Sequence, residues 1–320
     1  MAYMHKRSSK LEEPVEFLKN PIPIPNHDIV TCLALPPDLS CIVLGGFHGT
    51  KLFDPKRYSL LHHIEEKSNY SIQQCKFSED IKQLWTLTPC RLACYDVENN
   101  FTEIWELRVT IPGYQTFHIT PNEVFIADDR GVQYFVKTAE EKFEKSRNLI
   151  LQDYPCWRVH AIDDSWIVAT TDYHVLVYDT KNGCEKYNFS HDNDVITKMS
   201  LSPDSSKVVA VFLRGTITLW NLGPEARNFA PGHKLFHQLE DRDQGIADLV
   251  WSPNDNDLIS VNKSGVIQIW DTQRYHLLAM IKSLGSNWSG SLARCLAVSP
   301  VAITCFISVL VVTSYTKNVQ

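Results

Sequence analysis

Apolar and polar positions alternate along most of this chain with a period of two, in short runs closed by Pro, Gly, Asp, Asn or Ser. That period puts successive side chains on opposite faces of a strand; a helix needs a period of about 3.6. One run recurs in seven copies: VTCLALPPD (30–38), IQQCKFSED (72–80), YQTFHITPN (114–122), CWRVHAIDD (156–164), ITKMSLSPD (196–204), IADLVWSPN (246–254) and LARCLAVSP (292–300). Each reads as a strand running into a turn, because Pro presets φ and Asp or Asn bonds its own backbone.

A second run follows the first in most repeats: GTKLFD (49–54), RLACYD (91–96), GVQYFV (131–136), HVLVYD (174–179), GTITLWN (215–221) and GVIQIWD (265–271). Its aromatics are Phe53, Tyr95, Phe135, Tyr178, Trp220 and Trp270, spaced by 42, 40, 43, 42 and 50 residues. A strand repeat of roughly 40–45 residues is the period of a β-propeller blade. A four-stranded blade cannot bury both faces alone, and radial packing buries them while leaving only short edges. The expectation is an all-β propeller over 14–300, with seven blades and an atypical or incomplete last one.

Some of these residues carry a family resemblance. Trp270-Asp271 is a full Trp-Asp dipeptide, Trp220-Asn221 and Tyr178-Asp179 are near versions, and His27-Asp28 and His191-Asp192 stand just before first strands. On these residues the chain resembles the WD-repeat β-propeller family over about residues 27–300. It departs from the pattern in the turn before the last strand, where Arg214 and Ser264 stand in place of the usual Asp, so the family's hydrogen-bonded His-Asp tetrad is incomplete. More narrowly, residues 196–220 and 246–270 resemble the N-terminal propeller of the neuroblastoma-amplified-sequence family. That resemblance implies a non-enzymatic protein-interaction scaffold, a vesicle-tethering subunit in Golgi-to-ER transport with a link to nonsense-mediated mRNA decay. It further implies a cytoplasmic protein, peripheral at the endoplasmic reticulum, with a multi-subunit tethering complex as partner. An alternative is a substrate receptor of a cullin-type ubiquitin ligase. Such receptors often carry W-D-x-R after the last strand, and here Arg274 comes one residue late in WDTQR.

Composition changes this picture little. The 320 residues are 44% hydrophobic and 21% charged, which excludes disorder over most of the chain. A net charge of −6 argues against a duplex nucleic acid, whose phosphates demand a basic face. The nine cysteines are odd in number and irregular in spacing, which reads as a reducing compartment and not as a disulfide framework. Residues 1–13 read as a flexible basic tail without an apolar signal region, and PVEFLKN (14–20) as the outer strand of the last blade. Pro21, Pro23 and Pro25 then mark the linker into the first blade. EEKFEKSRN (140–148) reads as a charged interblade loop, and Gly223 to Asp243 as an insertion that lengthens the fifth blade. The apolar segment 301–320 reads as strands of the last blade. A membrane tail over Leu296 to Tyr315 and an altered or truncated end remain open alternatives, since a helical span needs about 20 apolar residues.

Catalytic chemistry gives no positive sign, and neither a cofactor nor a metal is expected. Cys90 and Cys94 lack a second pair at zinc spacing and read as core, and His62-His63 as a solvated connection. Gly45-Gly46 is followed by no helix, so it reads as a hairpin turn and not a phosphate loop. Asp128-Asp129 and Asp163-Asp164 read as solvated turns. The turns before the last strands supply His48, Arg130, Tyr173, Arg214 and Lys263, a basic rim suited to an acidic segment of a partner protein.

Trp270→Ala is expected to cost roughly 3–5 kcal/mol, as loss of a buried aromatic does. Thermal unfolding of the variant measures it, and a wild-type melting curve would put Trp270 on the surface.

Overall fold

Each recurring run folds as an antiparallel strand and hairpins with its successor. The computed structural model describes residues 30–297, apart from 109–112, 114, 141, 150–154, 164, 191–193, 223–232, 236–244, 253–256, 264–265 and 282–294. Blade 1 is β1 (Val30–Ala34), β2 (Ile42–Gly46), β3 (Gly49–Phe53) and β4 (Leu60–Glu65). Blade 2 is β5 (Gln74–Phe77), β6 (Gln83–Thr88), β7 (Arg91–Asp96) and β8 (Thr102–Arg108). Blade 3 is β9 (Thr116–Ile119), β10 (Glu123–Asp128), β11 (Gly131–Lys137) and β12 (Phe143–Leu149). Blade 4 is β13 (Arg158–Asp163), β14 (Trp166–Thr170), β15 (His174–Asp179) and β16 (Cys184–Ser190). Blade 5 is β17 (Ile196–Leu201), β18 (Lys207–Phe212), β19 (Ile217–Asn221) and β20 (His233–Leu235). Blade 6 is β21 (Ile246–Trp251), β22 (Asp257–Asn262), β23 (Ile267–Asp271) and β24 (His276–Ile281). In every blade the strands pair in chain order.

The core lies between blades. Alternate residues of one strand enter different clusters: Val124 and Ile126 of β10 pack toward blade 2, while Phe125 and Ala127 pack toward blade 4. In β18, Val208, Ala210 and Phe212 join the blade 4 side, and Val209 and Val211 the blade 6 side. The period of two therefore builds two interfaces from one strand. The six recurring aromatics are all buried, at most 5% exposed. In five blades a β-bulge between the third and fourth strands falls at the aromatic, between Leu52 and Phe53, Cys94 and Tyr95, Tyr134 and Phe135, Val177 and Tyr178, and Ile269 and Trp270. A bulge adds local twist. The Trp270 indole N–H donates to Ser260 Oγ at 3.1 Å, which satisfies its one polar atom inside the core.

The blade number differs from the expectation. Six four-stranded sheets form among the described residues, not seven. The seventh copy of the first run contributes residues 295–297 without a strand. Cys295 packs with Val30, Ile42, Leu44 and Phe53 of blade 1, and Leu296 with Ile259, Val261 and Ile267 of blade 6. This short segment thus lies between the first and last blades. A strand motif alone does not make a blade, because a blade also needs three further strands paired with the first, and among the described residues none pairs with 295–297.

Other placements also differ. Residues 143–148 of the expected charged loop belong to the outer strand β12, Phe143–Leu149. An outer strand meets solvent, so charge on it does not break the pattern, and its Phe143 stacks edge-on against Trp85 and Trp105. His62 and His63 lie on β4 and not in a connection. Gly45 and Gly46 end β2, and the turn itself is Phe47-His48. Asp128 is buried and accepts hydrogen bonds from the Arg130 N–H and Gln133 Nε2, so it is not a solvated turn carboxylate. Cys94 is buried in the core and Cys90 lies half-buried in a turn. The tail 1–13, the segment 14–20, Pro21, Pro23, Pro25, His27-Asp28, Asp164, His191-Asp192, Ser264, most of Gly223 to Asp243, and 301–320 lie outside the described residues.

Gly45 is needed for close approach. A Cβ there would lie 2.4 Å from Cys32 Sγ and 2.9 Å from Ile72 Cγ2. Gly45→Ala is expected to destabilise the fold by about 1–3 kcal/mol, as overpacking does, read as a lower denaturation midpoint.

Candidate protein-interaction face

Turns between second and third strands emerge at one end of every blade, and the interblade connections emerge beside them. Backbone hydrogen bonds tie the two sets. Ile72 N–H donates to the Gly46 carbonyl, Gly113 to Pro89, Cys156 to Asp128, Ile196 to Asp172 and Lys263 to Gly245. These loops form one face, held at regular intervals by the rigid sheets beneath. The remaining turns bond to one another at the opposite end, as in Val97 N–H to the Lys82 carbonyl and Lys137 N–H to the Asn122 carbonyl. Arg274 of WDTQR belongs to that opposite end, where Asp271 Oδ1 accepts the N–H groups of Gln273 and Arg274.

All five rim residues read from the sequence are exposed on the first face: His48 in blade 1, Arg130 in blade 3, Tyr173 in blade 4, Arg214 in blade 5 and Lys263 in blade 6. Their backbones are fixed. Arg130 N–H donates to Asp128 Oδ1, Arg214 N–H to Asp194 Oδ2, and the His48 carbonyl accepts from His63 Nε2. Because Asp128 and Asp194 are buried and occupied by backbone N–H groups, they position the basic side chains.

Sequence reasoning found Tyr173 but missed the rest of the apolar part of this face. Phe47, Tyr70, Trp157, Tyr173 and Leu213 are exposed large hydrophobics in its loops, Leu213 by 62%. Three of them, Trp157, Tyr173 and Leu213, lie on the loop face of blades 4 and 5, each on a loop held by hydrogen bonds. Trp157 N–H donates to the Thr170 carbonyl and its indole N–H to Asp172 Oδ1 at 2.6 Å, beside Tyr173. Leu213 N–H donates to the Val195 carbonyl, beside Arg214. The legible signal was an apolar residue where a turn favours a polar one, as in Phe47-His48 and Leu213-Arg214. Trp157 gave none, since it opens an alternating strand. The other exposed hydrophobics, Leu60, Leu61, Ile104 and Leu278, lie on the outer strands.

Blade 2 stiffens the face by a buried charge network. Arg91, 2% exposed, reaches Glu66 Oε2 at 3.3 Å, Glu103 Oε2 at 2.6 Å and Glu106 Oε2 at 3.0 Å, and donates to Tyr95 Oη at 3.2 Å. One guanidinium therefore ties the loop from blade 1, the outer strand β8 and the buried aromatic of β7. Among the described residues, no three His, Cys, Asp or Glu side chains gather as a metal site would require.

Residues 233–271 match the model of the WD domain, G-beta repeat. They span β20 through β23, across the junction of blades 5 and 6. No curated protein sequence matches the chain. Among solved structures, the β-propeller domain of Myceliophteria thermophila Cps50 (Swd1) is similar with a TM-score of 0.73 and 12% identity, over 89% of this chain and 94% of that one. In all, 1683 solved chains match. A fold shared so widely gives the architecture and no particular partner. The chain is thus a β-propeller that carries a WD repeat, an architecture commonly used as a protein-interaction scaffold.

Arg91→Ala is expected to cost roughly 3–5 kcal/mol by stranding the buried Glu66 carboxylate. Arg91→Lys recovers part of it, since an ammonium cannot fork to several carboxylates. Chemical denaturation of the two variants measures both.

Proposed function

We propose that this propeller is a non-enzymatic protein-interaction module whose docking face is the loop face of blades 3 to 5. The carrying observation is that Trp157, Tyr173 and Leu213 are exposed on the same loop face as Arg130 and Arg214. Aromatics and arginine dominate binding hot spots: the aromatics bury much area at little conformational cost, and arginine adds forked, charged hydrogen bonds. Exposed hydrophobics spaced singly are ordinary, but apolar side chains sharing a face with cations on hydrogen-bonded turns suit one partner chemistry. That partner is a protein segment with an apolar anchor flanked by acidic residues.

The finer reading is a subunit of a vesicle-tethering complex at the endoplasmic reticulum, cytoplasmic and peripheral to the membrane. It is supported by the resemblance of residues 196–220 and 246–270, which form much of blades 5 and 6.

Affinity purification of the whole chain tests both. Wild type is expected to retain a stable protein partner, tethering subunits and ER SNAREs under the finer reading. Trp157→Ala and Arg214→Glu are each expected to weaken capture at least ~10-fold, as loss of a hot-spot residue does. Substitution of exposed Lys142 in the opposite turn of blade 3 should leave it unchanged. Absence of any stable partner, or equal loss from the Lys142 variant, contradicts the docking face. Recovery of cullin adaptors in place of tethering subunits contradicts the finer reading alone.

A further inference from the structure

The first strand of each blade lines the centre of the ring, and those strands carry more cations than their fold requires. Register shows two levels. Arg158, Lys198 and Asp248 pair with Thr170, Val211 and Val261, the level nearer the loop face. Lys76, His118 and His160 pair with Trp85, Phe125 and Val168, two residues deeper. Two residues of strand separate the levels by roughly 6.5–7 Å. All six side chains are half-buried, so solvent reaches them inside the ring.

Contacts join them around the centre. The Lys76 ammonium donates to His118 Nδ1 at 3.3 Å, and the His118 and His160 rings lie 5.4 Å apart. Lys198 lies 3.4 Å from Asp248 Oδ1, while Asp248 Oδ2 accepts the Leu296 N–H. Asp248 is thus already engaged. The Arg158 guanidinium makes no hydrogen bond or ion pair to a described residue.

Gathering these groups disfavours their charged forms. Burial holds Lys76 down to about 8, against the attraction of Glu79. Burial, with Lys76 and Arg158 nearby, holds His160 down to about 3. Burial, Lys76 and His160 keep His118 well below its ordinary value. Burial also lowers Arg158, which Asp248 attracts from across the ring. Two cations, Lys76 and Arg158, beside two neutral imidazoles in a partly buried centre with one engaged carboxylate suit a binding site better than a stability device.

The geometry points to a central anion site, formed by Lys76, Arg158, His118 and His160, that takes a small multiply phosphorylated molecule entering from the loop face. A single partner carboxylate would satisfy one level only, whereas several phosphate groups on one scaffold reach both. The site is separate from the proposed docking residues, and its failure would leave that proposal standing.

Thermal unfolding of the whole chain with three separate probes tests this: inorganic pyrophosphate, ATP and inositol hexakisphosphate. At least one is expected to raise the melting temperature saturably, because a ligand of the native state alone stabilises it. The tightest probe tells an inorganic, nucleotide or phosphorylated-polyol source apart. Lys76→Gln and Arg158→Gln are each expected to weaken that probe about 10-fold or more, while Arg130→Gln and Arg214→Gln on the rim leave it unchanged. In the unsubstituted protein, the imidazole NMR signals of His118 and His160 should shift on saturation. Affinity should fall as pH rises through about 8, where Lys76 loses its proton. Relief of self-repulsion should leave ligand-free Lys76→Gln at least as stable as wild type. No saturable shift with any probe, losses from the rim variants instead, or Lys76→Gln melting lower yet binding normally would each overturn the proposal.

Discussion

Each sheet in this chain is apolar on both faces, and no blade can cover either face by itself. Val209 and Val211 need blade 6 as surely as Val208 and Ala210 need blade 4. Burial of such side chains contributes roughly 1.5–3 kcal/mol each, and only a neighbouring blade makes it available. Closure of the ring is therefore the constraint from which the rest follows. It explains why the aromatics of the third strands are buried despite their varied identities, and why Cys295 and Leu296 lie between blade 1 and blade 6.

Closure also sorts residues by radius. Outer strands meet solvent on their open edge and tolerate charge, which is how EEKFEKSRN can supply β12. Inner strands face the ring's centre, where alternate positions are not needed for the interblade core. There the chain carries Lys76, His118, Arg158 and His160, polar groups in place of the aliphatics that packing alone would favour. The loops at one end are held by hydrogen bonds between successive blades, so residues far apart in sequence, such as Trp157 and Leu213, share one face. Rigid sheets and the hydrogen-bonded turns among the described residues preorganise that face, which lowers the entropic cost of binding a partner.

The rim was legible in part. His48, Arg130, Tyr173, Arg214 and Lys263 could be read as turn residues because hairpin position follows from strand period and turn chemistry. Trp157 could not, since nothing local distinguishes an exposed tryptophan before a strand from a buried one. The polar groups of the channel were invisible for a related reason: Lys76 in CKF and His118 in FHI look like ordinary outward positions of a half-buried strand. Only the ring turns outward into a shared centre.

By itself, the sequence determined the strand period, the recurring aromatics and the β-propeller architecture, because alternation and turn chemistry are local properties that survive divergence. It overcounted the blades, because LARCLAVSP has the local pattern of a first strand while a blade depends on three further strands pairing with it. The number of sheets, the role of the charged segment 143–148, the placing of exposed apolar residues on the same face as the basic rim, and the gathering of polar groups at the centre were decided by tertiary structure. Each depends on which side chains meet across blades, and that is set by the geometry of closure and not by any stretch of chain alone.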